Sequence, residues 1–272
     1  MKNLIISFIG AGNMATSLIK GLLKENFSAK NIWATNNNVE QLNKLQNLNI
    51  NLTTDNRYVV KMADIVILAV KPQTLKNVVI KIRDQIQEKK PLIISIAVGI
   101  NLNNLEQYLS NKNLALIRCM PNTPALIGCG TSGLFANQNC SNAQKNAAES
   151  IFQSVGTVVW LPKEEQIDVV AALSGSGPAY FFLFMKALET AAVELGLAKE
   201  TAHLLTLQTA LGSARMAIES KKTLTELREQ VTSPGGTTER ALKSLNHDHF
   251  PDIIKKALKE AKNRAEELEA NK

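Results

Sequence analysis

Short apolar runs alternate with helical patterns over roughly the first 160 residues of the chain. Leu4–Ile9, Asp64–Val70 and Leu92–Ala97 are almost wholly apolar, which is typical of parallel strands that are covered on both faces. Further strands are predicted at Asn31–Ala34, Leu114–Arg118, Gly133–Ala136 and Gly156–Leu161, and helices at Asn13–Leu23 and about Val39 to Leu48. Such alternation predicts a doubly wound α/β sheet of the Rossmann type.

The pattern changes after Pro162. From Asp168 onward almost no β-like run occurs, and helical patterns are separated by glycines such as Gly235-Gly236. We therefore expect a domain boundary near residue 163, with an α/β domain over residues 1–163 and an all-helical domain over residues 164–272. The last stretch, Asp252–Lys272, is predicted to be a charged amphipathic helix on the solvated surface.

The composition is that of a soluble globular protein, with 45% hydrophobic residues and 5% aromatic residues. The formal net charge of +7 favours an anionic ligand, but the basic residues are scattered among acidic ones, which argues against nucleic-acid binding. Cys119, Cys129 and Cys140 form neither an even set nor a tight metal-ligand spacing. They are predicted to be reduced thiols of a cytoplasmic protein, and no metal site is expected.

Two apolar segments raise the question of targeting or membrane insertion. Leu4–Ile9 is too short for a signal peptide and runs directly into a glycine-rich turn. The most apolar helical stretch, about Tyr180 to Leu197, carries Lys186, Glu189 and Glu194. Because these charges would be costly inside a bilayer, we predict a buried helix rather than a membrane span.

A dinucleotide-binding signature follows the first strand. The segment Gly10-Ala11-Gly12-Asn13-Met14-Ala15 lies between that strand and the first helix, which is the context that the signature requires. Gly10 permits a tight turn, Gly12 lets a pyrophosphate approach the backbone, and Ala15 allows close packing of the helix on the strand. The segment therefore predicts binding of NAD or NADP.

The ends of two further strands refine this prediction. Thr35-Asn36-Asn37-Asn38 contains no carboxylate to bind the adenosine ribose of NAD or to repel a 2′-phosphate, and no arginine to bind that phosphate. NADPH is therefore the predicted cofactor, with NADH possible as well. Ala69-Val70-Lys71-Pro72 ends another strand and should border the cofactor. We expect Lys71 to position the cofactor or its loop rather than to act as a nucleophile.

A second glycine-rich loop precedes a helix near the end of the sequence. In Ser233-Pro234-Gly235-Gly236-Thr237-Thr238, adjacent glycines allow backbone N–H groups to converge, and the start of the helix adds unpaired donors. This arrangement is typical of a site for a small anionic substrate. An ordinary loop with an N-cap is the alternative reading of the same residues.

Five segments together resemble one family in their order and spacing. Gly10–Ala15, Ala69–Gln73, Arg118–Pro124, Leu173–Tyr180 and Val231–Thr238 closely resemble the pyrroline-5-carboxylate reductases, and the similarity covers essentially the whole chain. The resemblance implies a Rossmann-type domain followed by a helical domain that builds an intertwined homodimer. It also implies assembly of dimers, often into decamers, and a cytoplasmic role in the last step of proline biosynthesis.

The resemblance also implies a reaction and a substrate site. The reaction is hydride transfer from NAD(P)H to the C=N bond of Δ1-pyrroline-5-carboxylate, which gives L-proline. The hydroxyl of Thr238 is expected to contact the ring nitrogen as the catalytic side chain, and the surrounding loop is expected to bind the substrate carboxylate. The predicted substrate-binding residues are Ser233, Gly235, Gly236, Thr237 and Thr238.

Further cofactor contacts are implied for Asn56 on the adenosine side, Ser95–Ala97 and Met120–Asn122 on the nicotinamide side, and Glu164 and Gln230 from the helical domain. At each of these positions a turn or a cap is the alternative. The predicted cofactor-binding residues are Ile9, Gly10, Ala11, Gly12, Asn13, Met14, Thr35, Asn36, Asn37, Asn56, Ala69, Val70, Lys71, Pro72, Ser95, Ile96, Ala97, Met120, Pro121, Asn122 and Glu164.

Two alternatives to this function follow from the same two-domain pattern. A β-hydroxyacid dehydrogenase would need a lysine on the interdomain helix with an asparagine one turn later, whereas Lys186 is followed by Glu189 and Thr190. A non-catalytic NADP(H)-binding regulator could retain the fold, but an intact Ser233–Thr238 loop is unexpected in such a protein.

Overall fold

A computed structural model describes residues 3–270, and within that range eight strands form a single sheet. The strands are β1 (Ile6–Ile9), β2 (Ile32–Thr35), β3 (Asn51–Thr53), β4 (Ile65–Leu68), β5 (Leu92–Ser95), β6 (Leu116–Met120), β7 (Gly130–Ala136) and β8 (Gly156–Trp160). Their order is β3-β2-β1-β4-β5-β6-β7-β8, and every neighbouring pair is parallel except β6 and β7. The strand order reverses direction at β1, so the predicted doubly wound fold is confirmed.

Helices flank the sheet and make up the remainder of the chain. Those that accompany the sheet are α1 (Asn13–Lys24), α2 (Val39–Asn43), α3 (Asn56–Met62), α4 (Pro72–Lys89), α5 (Leu102–Leu109), α6 (Asn142–Gln153) and α7 (Gln166–Val170). They are followed by α8 (Gly177–Glu194), α9 (Lys199–Glu219), α10 (Leu224–Gln230), α11 (Thr237–His247) and α12 (Phe250–Ala270). A π-helical turn, Ala171–Gly175, follows α7, and short 3-10 segments occupy Ala29–Asn31, Gln46–Leu48 and Thr123–Ile127.

The chain divides into two compact units. One contains the sheet and continues to Ser176, and it also includes the chain from Glu260 onward. The other is all-helical and comprises Gly177–Lys259. The first break between the two compact units, after Ser176, falls later than the domain boundary expected near residue 163. That domain boundary stays a prediction.

Both faces of the sheet are covered, as the apolar strand sequences predict. Ile6 and Phe8 of β1 point to the face that α1 and α6 cover, where Leu18 and Phe152 are fully buried. Ile9 points to the opposite face, which α3, α4 and α5 cover. The strand side chains therefore alternate between two separate cores.

Local sequence signals explain where several helices begin. Pro72 occupies the first turn of α4, where its missing N–H costs nothing. Asn101 and Asn104 form a reciprocal capping box at the start of α5, and Ser141 and Gln144 form another at the start of α6. These caps fix the helix ends that border the loops after the strands.

The final helix differs from the expectation of a solvated surface element. Ala265 of α12 is only 4% exposed, and Glu269 makes an ion pair with the buried Arg118 of β6. The prediction was wrong for this part of the helix because charge content alone does not show whether a carboxylate has a buried partner.

Burial of α6 against the sheet predicts the effect of a core truncation. Phe152→Ala should lower the free energy of unfolding by about 3–5 kcal/mol, because the ring is fully buried and leaves a cavity. Gln153→Ala, at the exposed neighbouring position of the same helix, should change it by less than about 0.5 kcal/mol. Denaturant titration of both variants checks the difference, and equal effects would contradict this packing.

Candidate functional site

A crevice of about 570 Å³ opens at the carboxyl ends of β1, β2 and β4. This is the edge of a doubly wound sheet where ligands bind, at the reversal of strand order. The loop after β1, the segment after β2, the turn after β4 and the first turns of α3 and α4 contribute its walls. The lining residues are Ile9, Gly10, Ala11, Gly12, Asn13, Thr35, Asn36, Asn37, Asn38, Gln41, Asn56, Ala69, Val70, Lys71, Thr74 and Val78.

Gly10 brings the loop after β1 against the end of β4. Its φ is +106°, and a Cβ at this position would lie 2.6 Å from the carbonyl oxygen of Ala69. Its N–H donates to the carbonyl oxygen of Thr35 at 2.9 Å, which links the loop to β2 as well. Any larger residue would therefore clash with the end of β4.

The start of α1 provides donors for a phosphate. Gly12 precedes the helix, and no side chain caps its first turn. Space beside Gly12 is open, since a Cβ there would meet no atom within 4 Å. The unpaired N–H groups and the positive end of the helix dipole therefore face the crevice in the manner of a pyrophosphate site.

The end of the crevice beside β2 is polar but carries no carboxylate among its lining residues. Asn38 caps α2, because its side-chain oxygen accepts from the N–H of Glu40 at 2.8 Å. The side-chain oxygen of Asn36 accepts from the N–H of Asn38 at 3.0 Å, and Asn37 is exposed. Lys71 is the one charged residue that lines the described crevice. These residues fit a phosphorylated dinucleotide.

The crevice contains twelve of the residues that the sequence predicted, and four that it missed. Asn38, Gln41, Thr74 and Val78 line the cavity although they are not among the predicted cofactor-binding residues. Asn38, Gln41 and Thr74 lie at or just inside the starts of the helices that follow β2 and β4, and Val78 lies one turn further into α4. Their only sequence signal was that they follow the predicted strands, since ligands bind beyond the carboxyl ends of strands in such sheets.

The other predicted cofactor residues lie outside this lining. Ser95 is buried, and its hydroxyl accepts from the N–H of Ala97 at 3.4 Å. Asn122 donates to the carbonyl oxygen of Ser174 at 3.1 Å and accepts from the N–H of Thr131 at 2.8 Å, so its side chain joins three segments of backbone. The predicted residues outside the lining are Met14, Pro72, Ser95, Ile96, Ala97, Met120, Pro121, Asn122 and Glu164.

Glu164 belongs to a charged cluster around a buried arginine, which no sequence motif indicated. Arg118 of β6 is 2% exposed, and its guanidinium lies 2.8 Å from Asp168, 3.5 Å from Glu164 and 2.5 Å from Glu269. Burial raises the pKa of Glu164 and of Glu269, and the positive charge of Arg118 opposes both shifts. We call these four residues the Arg118 cluster.

The predicted substrate loop lies before α11. The N–H of Gly236 donates to the carbonyl oxygen of Ser233 at 3.0 Å, and the N–H of Gly235 donates to the carboxylate of Glu239 at 2.8 Å. No side chain caps the first turn of α11, where Thr237 is exposed and Thr238 is half-buried. The N–H groups of this turn are therefore the donors that remain for an anion.

Glu239 acts as an internal anion in this loop. Its carboxylate is held by Lys243 at 3.0 Å and by the N–H of Gly235. The hydrogen bond from Lys243, followed by that from Gly235, lowers the pKa of Glu239 below its usual range. The loop and the crevice belong to different compact units, and each forms its geometry within its own unit.

The surface of α8 is strongly apolar. Phe181 and Leu183 are 68% and 72% exposed, so the burial expected for this helix does not occur within a single chain. Among the described residues, Gln166–Glu194 forms the one helical stretch that is long and apolar enough to cross a membrane by length and composition. A helix that packs in a protein interface has the same composition.

The remaining reactive side chains form no further centre in the described part of the chain. No group of three or more His, Cys, Asp or Glu residues between positions 3 and 270 is placed to hold a metal ion. Cys119 and Cys140 are buried free thiols, and burial raises the pKa of both. A raised pKa lowers the thiolate fraction, so neither is suited to nucleophilic catalysis.

Comparison with known proteins gives matches over almost the whole chain. Residues 164–268 match the family model for pyrroline-5-carboxylate reductase dimerisation, and residues 5–99 match that for NADP oxidoreductase, coenzyme F420-dependent. A pyrroline-5-carboxylate reductase of Pseudomonas aeruginosa is 47% identical over 97% of this chain and 96% of its own length.

Solved structures agree with these matches. A pyrroline-5-carboxylate reductase from Coxiella burnetii superposes with a TM-score of 0.92 at 47% identity, covering 97% of this chain and 98% of that chain. The pyrroline carboxylate reductase of Plasmodium falciparum, solved with NADP bound, has a TM-score of 0.88 at 30% identity and covers 99% of both chains. With the crevice, the α11 loop and relatives of this identity over its full length, the chain belongs to the pyrroline-5-carboxylate reductase family.

Proposed function

We propose that NADPH is the preferred hydride donor of this enzyme, an NAD(P)H-dependent oxidoreductase that reduces Δ1-pyrroline-5-carboxylate to L-proline. The observation that carries the activity is the 47% identity to a pyrroline-5-carboxylate reductase across nearly the full chain. The crevice at the carboxyl ends of β1, β2 and β4 supports the cofactor assignment. Residues 1–163 are proposed to bind NADP(H), and residues 164–272 to bind substrate and to dimerise.

The crevice residues have separate roles in binding the cofactor. Bound NAD(P)H supplies a hydride to the carbon of the C=N bond. The open backbone at Gly12 and the uncapped first turn of α1 bind the pyrophosphate, and Lys71 adds a positive charge nearby. Asn36 and Asn37 border the adenosine ribose and leave room for a 2′-phosphate without a repelling carboxylate.

The α11 loop binds the substrate by its carboxylate. The N–H groups of Thr237 and Thr238 lie at the positive end of the α11 dipole, which favours an anion. The hydroxyl of Thr238 bonds to the ring nitrogen and orients the imine. Because a threonine hydroxyl does not titrate near neutral pH, solvent supplies the proton to the nitrogen and positioning dominates the rate enhancement.

Self-association covers the apolar surface of α8. The dimerisation family model spans residues 164–268, which include the exposed phenylalanines of this helix. We propose an intertwined homodimer that assembles further into decamers, in the cytoplasm, without binding to membranes or nucleic acid. Burial of an apolar helix against a second copy removes the surface that would otherwise favour aggregation or a bilayer.

The alternative of a β-hydroxyacid dehydrogenase receives no support from α8. Lys186, the lysine that such an enzyme would use, pairs with Glu189 at 3.0 Å. The same carboxylate contacts the ring of His203 at 2.8 Å. This arrangement does not supply the asparagine partner that the deprotonation of an alcohol requires.

The polar end of the crevice predicts the cofactor preference. Wild-type enzyme should show a kcat/KM for NADPH about tenfold or more above that for NADH. Asn36→Asp should remove most of that preference, because the new carboxylate repels the 2′-phosphate and accepts from the ribose hydroxyls. Steady-state oxidation of both cofactors measures the two ratios.

Asn43→Asp provides the matched control, because it adds the same charge at an exposed position of α2 outside the crevice lining. It should leave both kcat/KM values within about twofold of wild type. Equal use of NADPH and NADH by the wild-type enzyme would overturn the proposed preference.

Thr238 is predicted to contribute its hydroxyl to the reaction. Thr238→Ala should lower kcat/KM for Δ1-pyrroline-5-carboxylate by roughly 10- to 100-fold, because one hydrogen bond to the imine is lost. The dissociation constant for NADPH should not change. Thr238→Ser keeps the hydroxyl and should retain activity within about fivefold of wild type. An alanine variant as active as wild type would reject this role for Thr238.

A further inference from the structure

The Arg118 cluster gathers three carboxylates around one guanidinium. Asp168 lies in α7, Glu164 precedes that helix, and Glu269 lies in the last described turn of α12. All of them belong to the same compact unit as the sheet. A single positive charge thus ties two separate segments, residues 164–168 and the end of α12, to β6, and α12 is the more distant in sequence.

The last turn of α12 also lies directly on the loop between β5 and α5. Gly99 in this loop has a φ of +68°, and a Cβ there would lie 2.7 Å from the Cβ of Leu268. The side-chain amide of Asn101 donates to Glu269 at 3.4 Å. The backbone N–H of Leu102 donates to Glu164 at 2.7 Å. The far end of the loop is therefore held by two carboxylates of the Arg118 cluster.

The same cluster lies beside the segment after β6. Arg118 precedes Met120 by two residues in the strand, and Met120 packs so closely on Gly175 that a Cβ there would overlap its terminal methyl. Asn122 then joins this segment to the carbonyl oxygen of Ser174. The residues after β6 are fixed to the turn that follows α7.

The order of the strands indicates which part of a bound cofactor would lie near the β5–α5 loop and the segment after β6. The ribose-binding end of the crevice is at β2, and the phosphate-binding turn is at β1. β4, β5 and β6 follow on the other side of β1. An extended dinucleotide that passes β1 therefore has its nicotinamide toward the carboxyl ends of β4 and β5.

We propose that the last turn of α12, through Leu268 and Glu269, is a positioning element that fixes the β5–α5 loop and with it the nicotinamide end of the cofactor. The inference rests on the proposed cofactor function. Leu268 and Glu269 are not among the residues that line the crevice. They act by holding the loop in the geometry that hydride transfer requires, where a displacement of about 1 Å is enough to lower the rate up to a hundredfold.

Removal of Glu269 should have a local effect. Arg118 would keep Asp168 at 2.8 Å and Glu164 at 3.5 Å, so its charge stays compensated. Two residues before it, Glu267 pairs with Arg264 on the other side of the helix turn. Glu266 has a half-exposed side chain that pairs with Lys262. Glu266→Gln is thus a matched control that removes a charge from the same helix away from the loop.

The test compares NADPH with 2′-phospho-ADP-ribose, which lacks the nicotinamide, on the full-length protein. Glu269→Ala should lower kcat about tenfold and weaken NADPH binding about three- to tenfold. Binding of 2′-phospho-ADP-ribose should stay within about twofold of wild type, because the adenosine end of the crevice is untouched. Amide hydrogen exchange in residues 96–101 should become faster in the protein without ligand.

Gly99→Ala provides a second route to the same loosening without a change of charge, because its Cβ would lie 2.7 Å from the Cβ of Leu268 and the loop and α12 would have to separate. It should show the same selective loss for NADPH. Glu266→Gln should match wild type in all measurements. Wild-type kcat and wild-type exchange in both of these variants would overturn the proposal, and so would an equal loss of affinity for NADPH and 2′-phospho-ADP-ribose. Binding and exchange need no turnover, so these results are separate from the test of the reductase activity in the wild-type enzyme.

Discussion

Parallel strands place all of their carboxyl ends at one edge of a sheet, and the position of the crevice in this molecule depends on that constraint. The run from β3 to β6 is parallel, so the loops after β1, β2, β4, β5 and β6 open on the same side. Covering both faces with helices leaves this edge as the place where backbone donors remain unpaired. The backbone donors that can bind a ligand are thus located by the parallel arrangement of the strands.

Close approach of backbone segments refines this edge. Gly10 lets the turn after β1 approach the carbonyl of Ala69, where a Cβ would lie 2.6 Å from the oxygen. At the other loop of the same edge, Gly99 lets α12 approach in a similar way. In both places the absence of a Cβ allows two segments of the chain to lie closer together than any other residue would permit.

The sequence alone was sufficient for the elements with strong local signals. The apolar runs located seven strands, and the glycine signature located the crevice. β3 was not predicted, because Asn51-Leu52-Thr53 is short, partly polar and at the edge of the sheet. The helix predicted from Val39 to Leu48 is shorter in the structure and ends in a separate 3-10 turn at Gln46–Leu48.

The Arg118 cluster could not be derived in the same way. Arg118 stands in a strand of otherwise apolar residues, which is a signal for a buried partner. The partner itself is 50 residues away at Asp168, and the contact between Asn101 and Glu269 spans 168 residues. No periodicity connects positions at such separations, so only the folded chain identifies which of the 24 acidic residues are involved.

Glu239 gives the loop before α11 an internal competitor. Its carboxylate holds the N–H of Gly235 and is itself stabilised by Lys243. An incoming carboxylate that takes this donor must displace an anion that is already bound in place. Its apparent affinity therefore equals the intrinsic affinity multiplied by the fraction of molecules in which Glu239 has moved away. The loop therefore favours anions that bind the first turn of α11, where no side chain caps the N–H groups, over anions that need the N–H of Gly235.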